Sequence, residues 1–141
     1  IDLIENAVLN SDVEFCIKPF ANFASVIKFD LITCVHGLHY MGNKLAAIEK
    51  AISLLNVNGL FVANLDLCNI CIKDVDSNRL LKDKLKKENI QYDSRKRIIK
   101  KVGCSEVTFD YDYLGADENS GPNYTGQEAV TSYYGIGNKG K

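Results

Sequence analysis

The stretch KFDLITCVHGLHYMGNKLAAIEKAISLLNVNGLFVANLDL, residues 28–67, reads as strand, loop, helix, tight turn and strand. Phe29-Asp30 leads into the apolar run Leu31–Val35, and the loop His36-Gly37-Leu38-His39-Tyr40 follows. Leu45, Ile48, Ile52 and Leu55 then recur at intervals of 3, 4 and 3, the spacing of one helix face. Asn56-Val57-Asn58-Gly59 stops the helix, with Gly59 taking the positive φ of a C-terminal cap. Leu60–Leu67 is a second apolar run, short and continuous enough for a buried parallel strand. Together these make a βαβ unit.

The rest of the composition sets bounds. At 141 residues the chain is one domain. A formal net charge of −1 does not by itself favour a polyanionic partner. No apolar run approaches the roughly 18 residues of a membrane span, and no signal peptide is visible. Five cysteines without a framework spacing read as free thiols in a reducing compartment, the cytoplasm. Charge is uneven: Arg79 to Lys101 holds ten Lys/Arg against three Asp/Glu, while Ser105 to Glu128 holds six Asp/Glu and no Lys/Arg. The basic block begins as a helix that Ser77 can cap, with a Leu80, Leu81, Leu85 stripe. Its lysines read either as a solvated face or as a surface that steers nucleic acid. Aromatic residues for base stacking are missing there except Tyr92.

The βαβ stretch resembles the second half of a class I S-adenosylmethionine-dependent methyltransferase. In that family the fourth strand starts from a Phe-Asp pair and ends in a cofactor-facing loop, here Val35-His36-Gly37-Leu38-His39. The next helix ends in Leu-Leu-x-x-x-Gly before strand five, here Leu54-Leu55-Asn56-Val57-Asn58-Gly59. Ile1-Asp2-Leu3, followed by Ala7, is similar to the end of strand two, which implies that Asp2 holds the cofactor ribose. Glu106–Tyr113 and Ala129–Tyr134 match the antiparallel strands six and seven, and the run Tyr113–Gln127 is similar to that of a bacterial small-methyltransferase subgroup. The Gly-rich loop after strand one is absent and there is no initiator Met, so the chain reads as an N-terminally truncated fragment, inactive alone. Loss of strand one leaves strand four with an exposed edge. Val13–Ile17 matches strand three, but Lys18-Pro19-Phe20 follows instead of an acidic residue, so the resemblance passes the adenine contact to Phe20 or Asn22. Val35 and His36 complete the implied cofactor set.

Other constellations have competing readings. Gly135-Ile-Gly-Asn-Lys-Gly140 satisfies G-x-G-x-x-G, yet the sequence stops one residue later and supplies no helix to receive a phosphate; residues 135–141 read as a flexible tail. His36-x-x-His39 and Cys68-x-x-Cys71 follow two neighbouring strands, where four zinc-type ligands can converge. Apolar packing is the simpler account of the cysteines, and no metal is expected. Ligands bind at the carboxyl ends of parallel strands, so a neutral His36 or His39 is placed to take a proton from a nucleophile, or else to bond loop backbone. Asp66 faces the same rim, or caps a turn. Asn119–Tyr124 is dense in turn formers; Asn123 and Tyr124 close over substrate there, or the segment is a plain connection.

The expectation is therefore an α/β, Rossmann-like class I methyltransferase sheet, N-terminally truncated and ending in an antiparallel strand pair, over residues 1–134. The function expected is methyl transfer from S-adenosylmethionine to a small-molecule acceptor, with nucleic acid the less favoured acceptor and no membrane partner. His39, His36 and Tyr124 are the candidate catalytic residues; Asp2, Phe20, Asn22, Val35 and His36 are the candidate cofactor contacts. The rival is a non-catalytic Rossmann-like binding domain, which fold alone does not separate from the enzyme.

Overall fold

The computed structural model describes residues 14–117 and 129–137. Within it the strand–helix–strand unit forms. β1 (Phe29–Cys34), α1 (Lys44–Ser53) and β2 (Leu55–Asn64) follow in order. β1 and β2 pair in parallel, Ile32 opposite Phe61 and Cys34 opposite Ala63. α1 starts where the Asn43 side chain accepts the Ala46 N–H at 3.3 Å, satisfying one of the donors a helix start leaves over. It buries Leu45, Ile48 and Ile52 in one cluster with Leu55, Phe61 and Ala63 of β2. Each fully buried Leu, Ile or Phe contributes about 1.5–3 kcal/mol relative to exposure.

The turn between them departs from expectation. α1 ends at Ser53, and Asn56-Val57-Asn58-Gly59 lies within β2. Gly59 does not take a positive φ. Instead β2 bulges: Phe29 pairs with Leu55 and Leu31 with Leu60, so two steps along β1 answer five along β2. The bulge carries Gly59 so close to β1 that a Cβ there would stand 2.6 Å from the Phe29 carbonyl oxygen. Close approach, not helix capping, selects the glycine.

β4 (Gln91–Asp93) and β5 (Ile98–Val102) form a hairpin on the other side of β2, giving a sheet ordered β1-β2-β5-β4. β5 runs antiparallel to β2, with Phe61 opposite Lys101. Before the hairpin comes α2 (Ser77–Lys87), which buries Leu81 and Leu85 as its stripe predicts. Its cap is Asp76, whose carboxylate accepts the Arg79 N–H at 3.3 Å. Ser77, the expected cap, exchanges hydrogen bonds with the Ile72 backbone instead.

A second sheet contains β3 (Ile70–Ile72), β6 (Tyr111–Asp117) and β7 (Thr131–Ile136), in the order β3-β7-β6. The closing antiparallel pair exists, but it starts later than expected and is not part of the first sheet. β5 already occupies the free edge of β2, so β7 finds its parallel neighbour in β3. The architecture is α/β with two mixed sheets. Residues 14–17 form no strand and are exposed, Ile17 at 90%; none of their backbone pairs in either sheet. β1 has β2 as its one partner among the described residues, and Leu31 stands 59% exposed on it. Among the described residues no helix is long and apolar enough to cross a membrane. Asp2, Asn119–Tyr124 and the last residues of the G-x-G-x-x-G tail lie outside the described residues.

Candidate functional site

The carboxyl ends of β1 and β2 meet at a loop under backbone strain. After Cys34 and Val35 the chain turns at His36, which adopts the left-handed conformation at φ 58°, ψ 2°. For a residue with a Cβ this costs about 1–2 kcal/mol. The turn is held by the His36 N–H, which donates to Asn64 Oδ1 at the end of β2 at 3.1 Å. A 3₁₀ turn, Gly37–Tyr40, then buries Leu38 and His39. The turn brings the two histidines together: their rings stack at 5.4 Å between centroids and 28° between planes, with His36 Nδ1 3.3 Å from His39 Nε2.

Their environments differ. His39 is 1% exposed, while His36 is half-buried, so His36 is the member nearer solvent. Burial pushes the His39 pKa down, the His36 and Lys44 charges add to that, and the Asp66 carboxylate opposes it. His39 is therefore neutral at pH 7 and acts as a hydrogen-bonding group. Asp66 is buried and caps the turn Leu67–Asn69, its Oδ1 accepting the Cys68 N–H at 3.0 Å. Its Oδ2 lies 3.8 Å from Arg97 Nε.

Behind this loop the start of α1 is fastened to β7. The Lys44 side chain is fully buried. Its ammonium donates to Met41 O at 2.8 Å, Val130 O at 2.5 Å and Ser132 Oγ at 2.9 Å. Burial brings its pKa down to about 8. Tyr134 Oη donates to Asn43 Oδ1 at 2.8 Å and accepts the Leu45 N–H at 3.1 Å. The Ser132 hydroxyl donates to Gly42 O, and the Val130 N–H donates to His39 O at 2.8 Å. The second sheet thus fixes the histidine turn from behind.

Of the expected cofactor contacts, His36 forms the turn itself and Phe20 reaches the site region. It lines an apolar cavity of about 190 Å³ with Ile32, Cys34, Leu38, Met41 and Phe61. It also lines an adjoining cavity of about 490 Å³ between residues 19–21 and the start of α1. Lys50 anchors the segment, donating to Phe20 O at 2.7 Å and Ala21 O at 2.9 Å. Asn22 is exposed and lines neither cavity. Val35 is 74% exposed and also lines neither. Asp2 and Tyr124 lie outside the described residues. Among the described residues no group of three or more His, Cys, Asp or Glu is placed to hold a metal ion. Cys68 and Cys71 are both exposed, so neither is the packed apolar residue expected of it.

Asn64 and Lys44 take part in the site region without having been singled out in the sequence. Lys44 carries no local signal, because Val130 and Ser132 lie 86 and 88 positions away. Asn64 is legible only as the polar residue closing the strand. No protein-family model matches the chain, and neither does any curated protein or solved structure.

Proposed function

We propose that the protein is an S-adenosylmethionine-dependent methyltransferase acting on a small-molecule acceptor, with the site at the carboxyl ends of β1 and β2. One observation carries the reading. The parallel β1–α1–β2 unit ends in a strained loop that presents a stacked histidine pair, at the position where open α/β sheets bind ligands.

S-adenosylmethionine supplies a methyl group on a positively charged sulfur. The residues beside β1 fit its adenine: Phe20, Ile32, Leu38 and Met41 offer an apolar slot opening into a larger cavity. Among the described residues Lys50 is the one charged residue lining these cavities, and its ammonium is turned onto Phe20 O and Ala21 O. The ribose contact is assigned to Asp2 by resemblance.

The chain's own task is alignment and proton handling. Methyl transfer needs the nucleophile held in line, and a base if the nucleophile carries a proton. His36 is the proton acceptor in this reading. Buried His39 is a positioning residue that holds the His36 ring through the 3.3 Å nitrogen contact.

The test is calorimetric titration of S-adenosylmethionine into the full-length protein and its Phe20→Ala variant. The expected result is saturable binding in the micromolar range that weakens about tenfold in the variant, or about 1.4 kcal/mol. Absence of saturable heat in the full-length protein overturns the reading.

A further inference from the structure

The basic block of the chain folds into a shaped surface. The second half of α2 and the β4–β5 hairpin enclose a groove of about 630 Å³ that includes Lys82, Lys86, Gln91 and Tyr92 in its wall. An adjoining groove of about 420 Å³ shares Gln91 and Tyr92 and adds Lys96 and Lys100. All four lysines are exposed, and none makes an ion pair among the described residues.

Of the three acidic residues of the same block, Asp93 lines the second groove and interacts electrostatically with Lys96, while Asp83 and Glu88 line neither groove. Glu88 is bound by Lys84 at 3.2 Å. Asp93 Oδ1 accepts the backbone N–H groups of Arg95 and Lys96, both at 3.0 Å. Lys101 is turned inward, donating to Glu88 O at 3.0 Å.

Shape and chemistry narrow the partner. The paired grooves are open, and their cations are spread along them, which suits an extended polyanion rather than a single small anion. Lys82 and Lys86 stand one helical turn apart, about 6 Å along the axis, and a duplex offers a phosphate every ~1.7 Å of its axis. Base stacking is not provided: the Tyr92 hydroxyl donates to Leu65 O at 3.2 Å and its ring packs on the core. Of the aliphatic lining residues, Leu85 and Ile90 are buried and Ile98 is half-buried, so the surface lacks the broad exposed apolar face that membrane binding uses and the apolar centre of a protein interface.

We propose that these paired grooves dock the phosphate backbone of a nucleic-acid duplex without reading its bases. The test is fluorescence anisotropy of a labelled mixed-sequence duplex with the 141-residue chain across salt concentrations. Four neutralised phosphates predict a log–log salt slope near about −3.6, a roughly 10²-fold loss of affinity between about 50 and 200 mM salt. Lys82→Gln/Lys86→Gln and Lys96→Gln/Lys100→Gln should each reduce the slope by about 2. Lys73→Gln, just after β3 and outside both grooves, should leave it unchanged. Both double variants lie on the surface, and an unchanged thermal melt confirms that each is folded. Binding by either DNA or RNA duplex supports the proposal. It is overturned by no binding at about 50 mM salt, by unchanged slopes in both folded double variants, by tighter binding of a single strand, or by equal binding of polyglutamate or of anionic phospholipid vesicles.

Discussion

His36 and His39 share one hydrogen bond across stacked rings, Nδ1 to Nε2 at 3.3 Å, while His36 sits in a left-handed backbone conformation. The strained residue is the half-buried one, and its unstrained partner is fully covered. Asn64 restrains the backbone of His36 and His39 restrains its ring, so both the position and the tilt of the ring are fixed.

Acid titration reports on this pair. His39 has a pKa below its ordinary value of 6.5, caused first by burial, then by the charges of His36 and Lys44, with Asp66 opposing. The unfolded chain takes up the proton before the folded one, so this stability is present above pH 6.5 and is lost as pH falls through the folded pKa. His39→Gln should cost about 1 kcal/mol at neutral pH through the weakened contact. It should also lose less of its stability than the parent as pH falls from 6.5 toward the carboxylate range. Urea melts along that series measure both, and parallel curves would show that His39 does not titrate on unfolding.

Alkaline titration reports on the bolt between α1 and β7. Burial raises the Tyr134 pKa from 10.0 to about 12, so its contribution is present below pH 10 and lost toward 12. Tyr92 and Tyr111 are raised in the same direction by burial. Lys44 works the other way: its pKa falls from 10.5 to about 8, so stability from that group rises with pH across this interval. The parent should therefore gain stability above pH 8 and lose it beyond pH 10. Tyr134→Phe removes the bonds to Asn43 and Leu45 and should cost about 1–2 kcal/mol at pH 7. Its alkaline loss should be shallower than the parent's, a difference that denaturation midpoints measured up to pH 11 can resolve.

Gly59→Ala tests the bulge in β2. The new Cβ would meet the Phe29 carbonyl oxygen at 2.6 Å, and backbone on both sides must move. A loss of about 2–3 kcal/mol is expected, the upper range for overpacking. Gly135→Ala is the control, since the nearest atom to its Cβ would be on the Leu114 side chain at 3.5 Å, an ordinary contact; a change within about 0.5 kcal/mol is expected. Equal urea midpoints for the two variants would remove the close-approach account of Gly59.

The sequence by itself determined the β1–α1–β2 unit and the inward face of α2. Apolar runs and the 3.6-residue period of Leu45, Ile48 and Ile52, and the Leu81–Leu85 spacing, are local properties that hold wherever the segment packs. It also placed His36 and His39 at a strand end, because three-residue spacing in a loop after β1 needs no distant information. Tertiary structure decided the rest. Which strand lies beside β2 is a competition: the β4–β5 hairpin closes over a short connection and takes the edge, and β7 is left to β3. The depth of His39, the burial of Lys44 and the role of Gly59 follow from chain segments that meet only after folding. Lys44 and Ser132 are 88 positions apart, and no periodicity within a segment encodes a contact between segments at that separation.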